Sequence, residues 1–579
     1  MYGSLSDHLE HRISRRSLLK IAGVGAVAST TGLLAACEAD DDDDDVVDDV
    51  ADDEEPAVDP DDDDDAVDEP DDDPVDDEEP ADDVDPDDGQ MGGTINVALY
   101  SEPASVDGSW TTAIVTQIPS IHVFESLMAY DEEWATQPML AEDVEMSDDG
   151  LTATFNLRDG VNFHNGDVMD ADDVVASIQR WFQVAGNGQD TEPFVDSVEA
   201  VDDLTVEWQF NTPFAPLLNY MASPLGYTCI ILPAEIAEEA ANDQLSQDQY
   251  IGTAPFRFVE HAPDEHILME RFEDYSSRDD EASNYAGEKI AYADELRFVT
   301  VPDAAARIAG VEGGDYHWAE EVTRDEFDRL EEDDNVEAEI LSPLRFKGII
   351  FNKARGPFTD VNLRRAVLYA LDKEEIMFAA FGDERFWRLS HSMIPEESIW
   401  YSEVGQDEYN QMDIERAREL VEESDYDGEE IRWLAPADRE DYHAIALTAA
   451  PMLEEIGLNV EVVSVDWGTI TDLRTDPDEY EIFNTGFGFG PEPTTVAFIP
   501  ADWPGWWESE AKEEALQAVM EETDQETRQE LWDEFHSVFY EDVPVIVVGD
   551  FFGLTIRRPE LINGLVAQEP RFWNTWIES

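Results

Sequence analysis

The sequence predicts an α/β fold, and three observations predict it. Strand-like and helix-like segments interleave from Thr94 to the end of the chain, which builds mixed layers of sheet and helix. At 579 residues the chain exceeds one ordinary domain of roughly 100 to 200 residues, so two or three cores are expected. A hydrophobic fraction of 42% with 15 Trp, 17 Tyr and 27 Phe supplies the side chains to fill them.

The first elements are readable from period and caps. After Gly92-Gly93, the run Thr94 to Leu99 alternates as a strand does, and Thr152 to Leu157 repeats the pattern before closing in Arg158-Asp159-Gly160. Asp170 to Phe182 places acids in a first helical turn, where they face the positive end of the dipole. Val174, Val175, Ile178, Trp181 and Phe182 then form an apolar stripe.

Charge narrows the function classes. The net charge is -107, from 140 acids against 33 bases. Residues 38–90 hold 33 acids and no base, yet residues 91–579 still carry more than three acids per base. Only Lys20, Lys289, Lys347, Lys353, Lys373 and Lys512 are lysines. Such an excess repels itself in dilute buffer, whereas at molar salt the Debye length falls to about 3 Å and the carboxylates still hold water. The composition reads as adaptation to a salt-saturated medium. Nucleic acid is excluded as a partner, because phosphate neutralisation needs clustered bases. Of the two cysteines, Cys37 lies in a processing signal and Cys229 in the apolar run Tyr227 to Leu232, so no internal disulfide pair remains and Cys229 is expected in a core.

The N-terminus reads as an address and an anchor. Ser14-Arg15-Arg16-Ser17-Leu18-Leu19-Lys20 precedes an apolar stretch from Ile21 to Leu34, too short for a comfortable membrane span of about 20 residues. The paired Arg15 and Arg16 suggest the twin-arginine export route. Leu34-Ala35-Ala36-Cys37 resembles a lipobox, in which the cysteine is lipidated after cleavage. Residues 1–37 are thus expected to be the signal. Residues 38–90, almost wholly Asp, Glu, Val, Ala and Pro, are expected to be a disordered acidic tether, with an end-to-end distance of at least about 40 Å.

Several segments then carry a family resemblance. Leu140-Ala141-Glu142-Asp143-Val144, Ser147-Asp148-Asp149-Gly150-Leu151-Thr152 and the run from Leu157 to Gly166 come first. Gly252-Thr253-Ala254-Pro255-Phe256, Arg271-Phe272-Glu273-Asp274-Tyr275, Phe351-Asn352, Pro357 to Val361, Asp372-Lys373 and Phe572 to Trp576 follow in order. Together they resemble the large extracytoplasmic solute-binding proteins of family 5, the peptide/nickel type, in the acidic form of its haloarchaeal members. The resemblance implies a two-lobed periplasmic-binding-protein-like fold of type II, hinged by two strands, with ligand trapped between the lobes. Lobe 1 would be residues 91–342 plus 544–579, with an extra subdomain at about 133–251, and lobe 2 residues 343–543. It implies a monomeric lipoprotein on the outer face of the cell membrane that passes a small ligand, a di- or oligopeptide by family frequency, to ABC permease subunits. No cofactor or metal and no catalytic residue are expected.

The same resemblance nominates the site. Thr116 and Gln117 stand in a loop, Trp110 to Pro119, that corresponds to a cleft loop, and Asn352 lies where the second lobe opens. Leu458 to Val465 alternates as a strand and ends at Asp466-Trp467, where the family's peptide binders carry a cleft Trp. The strand Glu481 to Thr485 runs into Gly486-Phe487-Gly488-Phe489-Gly490, whose glycines let backbone approach a ligand. Phe487 falls at a stacking position, and Phe489 and Gly490 complete the loop. Gly490 replaces the Asp that pairs with a peptide's ammonium in many peptide binders. The amine would then need Glu492 or a backbone carbonyl, or the ligand has no amine, and an oligosaccharide or a metal chelate stays open.

A secreted hydrolase on the same body is the competing class, but the chain has no His-Glu-x-x-His, Cys-x-x-Cys or Gly-x-Ser-x-Gly. A structural surface protein is a third reading and predicts no saturable ligand. From the charge alone, dialysis below about 0.1 M salt is expected to unfold the domain. A circular-dichroism spectrum that stays unchanged there would refute the halophilic reading.

Overall fold

The computed structural model describes residues 89–579, except 225, 342–344, 564–569 and 579. The export signal with Arg15 and Arg16, the lipobox with Cys37 and the acidic tether lie outside the described residues.

The expected strand Thr94–Leu99 forms at the centre of a seven-stranded sheet. Its spatial order is Glu337–Ile340, Leu554–Arg557, Trp318–Ala319, Thr94–Leu99, Glu295–Thr300, His266–Arg271, Phe256–Ala262. Thr94–Leu99 is parallel to both neighbours and buries Ile95, Val97, Ala98 and Leu99. A strand covered on both faces needs apolar residues on both, which explains why its C-terminal half no longer alternates.

Residues 141–210 contribute a separate four-stranded antiparallel sheet, Ala141–Met146, Thr152–Leu157, Thr205–Phe210 and Val195–Asp202 in spatial order, over its own core. The helix Ala171–Val184 closes it. Asp170 accepts from the backbone of Asp172 and Asp173 while Asp173 reaches back to Asp170, a capping box, and Val174, Ile178, Trp181 and Phe182 are buried as the stripe requires. Cys229 is fully buried in this core, which pushes its thiol pKa well up.

The six-stranded sheet has the order Trp387–Arg388, Val545–Phe551, Arg345–Phe351, Ile482–Gly488, Glu430–Pro436, Asn459–Val465. Two strand pairs join it to the seven-stranded sheet. Glu337–Ile340 pairs with Leu554–Arg557 on one side, and Arg345–Phe351 pairs with Val545–Phe551 on the other. The chain thus passes between the sheets twice, side by side, and Leu341 N–H donates to Gly553 O at 3.0 Å between the two passages. The return passage falls between Phe551 and Leu554, not after Val543 as the sequence reading had it. Val545–Phe551 is an apolar run of seven residues that completes the second sheet before the chain leaves it.

Buried charges pin the first sheet to its surroundings. Lys289 Nζ stands 2.9 Å from Glu125, whose carboxylate also accepts from the hydroxyls of Tyr275 and Thr253. The net effect of these partners outweighs burial and holds the Glu125 pKa below its usual value. Removing one member leaves an uncompensated charge in the core. Lys289→Met is therefore expected to cost about 3–5 kcal/mol of unfolding free energy. Denaturant titration at molar salt checks it, and a loss below about 1 kcal/mol would refute the role given to this pair.

Candidate functional site

Register in the six-stranded sheet sorts the candidate residues. Arg345 stands opposite Gly488, Phe346 opposite Phe487 and Lys347 opposite Gly486. Opposed residues share a face and successive residues alternate, so Arg345, Lys347, Gly486 and Gly488 occupy one face and Phe346 and Phe487 the other. Phe487 is accordingly core. It is 4% exposed, stacks on Phe346 at 5.0 Å and meets Phe498 at 5.1 Å. The expectation that it stacks on ligand is corrected, because the strand runs on to Gly488 instead of ending at Thr485 and turns Phe487 inward.

The opposite face is open at one point. A Cβ on Gly488 would meet nothing within 4 Å, so its backbone is approachable. At Gly486 a Cβ would stand 2.7 Å from the Tyr442 hydroxyl. Tyr442 carries Lys347 Nζ 3.6 Å above its ring, and Lys347 pairs with Asp441 at 2.7 Å. Burial, opposed by Asp441 and reinforced by Arg345 and Arg324, brings the Lys347 amine down to about 8.

Trp467 joins this face through Tyr442, with ring centroids 5.7 Å apart. The strand Asn459–Val465 delivers it, and Asp466 caps the short helix Trp467–Leu473 by accepting from Thr469 N–H. Its own N–H donates to Asp438 at 2.8 Å. The half-buried ring lies between Arg439, 5.1 Å from its centre, and Arg474 at 5.7 Å.

Phe489 and its followers reach the first lobe. The Phe489 ring meets Trp134 edge-on at 5.1 Å and packs against the cores of the second lobe and of the four-stranded subdomain. Glu492, 3% exposed, accepts from Arg528 through both oxygens at 3.0 and 2.6 Å, and from Asn219 of the helix Leu217–Ala222 at 2.7 Å. An Asn from lobe 1 is thus bound to a buried ion pair of lobe 2. A Cβ on Gly490 would lie 2.8 Å from Thr495 Oγ1, which is itself tied to Glu492 O. A side chain at position 490 would have to displace the Thr495 hydroxyl, and the Glu492 carboxylate is already occupied.

Three further candidates are turned to other work. Asn352 is buried and satisfied, donating to Pro477 O and Tyr480 O and accepting from Ala354 N–H. Gln117 is buried in the helix Ile114–Ser120 and its amide donates to Gly108 O and Thr111 O, which closes the loop before the helix. Thr116 is 1% exposed beside it. In that segment Trp110, 40% exposed, is the aromatic side chain open to solvent, next to exposed Thr112 and Ala113. His164 is likewise structural. Its ring accepts from Gly252 N–H and bonds Ala254 O, and burial lowers its pKa to about 4.

Sequence reasoning passed over Tyr442, Arg345, Arg439, Arg474, Asn219 and Arg528, which the fold gathers from distant segments. Lys347 had a signal, since a chain with six lysines places each of them sparingly. Among the described residues no group of three or more His, Cys, Asp or Glu could hold a metal, and no helix is long and apolar enough to cross a membrane.

Residues 135–508 match the model of the bacterial extracellular solute-binding proteins, family 5. The chain belongs to this family. Among relatives of this family 5 protein, the "Probable peptide ABC transporter periplasmic-binding protein y4tO" of Sinorhizobium fredii is 28% identical over 402 residues, covering 67% of this chain and 73% of the relative. "Heme-binding protein A" of Haemophilus influenzae is 30% identical over 373 residues, covering 60% and 62%. The fold is that of the ABC transporter substrate-binding protein CtaP from Listeria monocytogenes, with a TM-score of 0.73 at 22% identity over 85% of this chain and 100% of that one. Family 5 members are type II periplasmic binding proteins that hold a solute, and not enzymes, so the hydrolase reading falls away.

The contact between lobes can be tested. Asn219→Ala removes a hydrogen bond to a charged group, worth about 1.5–3 kcal/mol, without touching the Glu492–Arg528 pair. The variant is expected to show a larger radius of gyration by small-angle X-ray scattering at an unchanged melting temperature. An unchanged radius would mean that this bond does not hold the lobes together.

Proposed function

We propose that the protein captures a short peptide between its lobes by closure about the two-strand hinge and delivers it to ABC permease subunits. The observation that carries this reading is the pairing of a narrow hinge, bridged by Leu341 and Gly553, with a latch far along the chain, Asn219 on Glu492. Two lobes that touch through side chains, Asn219 on Glu492, Phe489 on Trp134, Phe386 on Phe327 and Arg385 on Asp328, can part and reclose, which a ligand binding both faces would bias toward the closed form. The peptide class draws support from the name of the Sinorhizobium relative and from the aromatic surface of Trp467. Cys37 would carry the lipid, residues 38–90 would be the tether that lets the lobes range over the outer face of the membrane, and Arg15-Arg16 would direct export. The protein would act as a monomer in a salt-rich medium.

A ligand that binds only the folded state raises stability by RT ln(1 + [L]/Kd), so the melting temperature should climb with each tenfold rise in peptide above Kd and no product should form. Trp467→Ala is expected to weaken the complex by about 1–3 kcal/mol through loss of an aromatic contact surface, at unchanged secondary structure. Calorimetry reads this directly, and wild-type affinity in the variant would remove Trp467 from the site.

A further inference from the structure

Unpaired arginines in so acidic a protein need an explanation. Among the described residues, Arg297, Arg324, Arg345, Arg439 and Arg474 have guanidinium groups with no hydrogen bond or ion pair, and every other arginine is engaged by a carboxylate, a backbone carbonyl or another partner. With more than three acids per base, a guanidinium that meets no carboxylate within 4.0 Å is one from which acids have been kept away. Arg297 stands apart on the strand Glu295–Thr300. The other four converge.

They lie along a continuous file of cations and rings. Arg324, from lobe 1, sits 4.8 Å from the centre of Phe381 in lobe 2. Lys347 is 5.5 Å from Phe381 and 3.6 Å from Tyr442, Arg439 is 5.7 Å from Tyr442 and 5.1 Å from Trp467, and Arg474 is 5.7 Å from Trp467 and from Trp503. Arg345 joins from the strand register, opposite the open backbone of Gly488. The file therefore bridges the lobes, and Arg324, Arg345, Lys347 and Arg439 follow the face already described, whereas Arg474, 5.9 Å from the buried ring of Phe483, lies toward the Phe487 side of the same sheet.

None of the nearby acids comes within 4.0 Å of these four guanidinium groups. Asp441 is held by Lys347, Asp438 by Trp467 N–H, and Asp466 by its helix cap. Arg324, Arg345 and Arg474 are half-buried, and Arg474 Nε is buried without any partner. A guanidinium out of water without an acceptor is costly, and a carboxylate that meets its two N–H groups in plane relieves that cost better than water does. The aromatic faces hold the guanidinium groups in place for such a contact. Of the two positions that the sequence offered for pairing with a ligand's ammonium, Gly490 carries no carboxylate and Glu492 is bound by Arg528 and Asn219.

We infer that this site takes a ligand bearing at least two carboxylates and needs no free amine, either an acidic short peptide or a non-peptide polycarboxylate. The inference rests on the ligand-capture reading above and narrows its substrate class.

Calorimetry on the full chain at molar salt, where only contact pairs survive screening, tests it with four probes: glutamyl-glutamate, N-acetyl-glutamyl-glutamate, tricarballylate and alanyl-alanine. Glutamyl-glutamate is expected to bind at least about tenfold tighter than alanyl-alanine, with the acetylated form within about threefold of the free amine. Tricarballylate binding as tightly as the peptides would assign the non-peptide source, and its exclusion the peptide source. The double variant Arg345→Gln/Arg439→Gln should lose at least about tenfold for the acidic probes at an unchanged melting temperature, while Arg297→Gln should lose nothing. Alanyl-alanine binding as well as glutamyl-glutamate overturns the inference and leaves ligand capture standing, as does full affinity in a folded double variant. Binding of none of the four overturns both readings. The comparison of probes on the unaltered protein decides the matter even if the double variant does not fold.

Discussion

The structure depends on two strands crossing side by side between two sheets. Each crossing strand is anchored in a ladder at both ends, Glu337–Ile340 against Leu554–Arg557 and Arg345–Phe351 against Val545–Phe551. The bond from Leu341 to Gly553 ties the passages together at the point where neither sheet supports them.

Strand alternation next to the hinge then divides structural from binding work. The same seven residues, Ile482–Gly488, place Phe487 in the apolar core and leave Gly486 and Gly488 on the groove side. Small residues on that side admit the Tyr442 hydroxyl at one position and open backbone at the next. Further along, the chain leaves the sheet and spends Phe489 and Glu492 on contact with lobe 1. The loop after the strand is thus a latch more than a ligand wall. That is why the candidates drawn from it divide between core, latch and groove.

Charge distribution adds a second layer. The chain is acidic throughout, yet Arg324, Arg345, Arg439 and Lys347 gather about the rings of Phe381, Tyr442 and Trp467 with Asp441 as their one paired carboxylate. An acidic exterior repels anionic ligands at long range only where salt is dilute, and at high ionic strength short-range contacts govern. The family's relatives differ in what their names say they bind, peptide in one and heme in another, so selectivity has to reside in such local features.

The sequence by itself determined the fold class and many of its elements. Period-2 runs at Thr94–Leu99, Thr152–Leu157 and Asn459–Val465 and the capped stripe of Ala171–Val184 are local patterns, and local patterns survive in any packing. Trp467 was singled out by its place in the family resemblance, which the readable strand before it only located. The tertiary structure decided what depends on partners remote in the chain: that Asn352 and Gln117 serve backbone carbonyls, that Phe487 faces inward, that Glu492 is shared by Arg528 and Asn219, and that the second sheet claims Val545–Phe551. A hydrogen bond or ion pair across hundreds of residues leaves no trace in periodicity, and whether an arginine is paired or left waiting is a property of the folded neighbourhood alone.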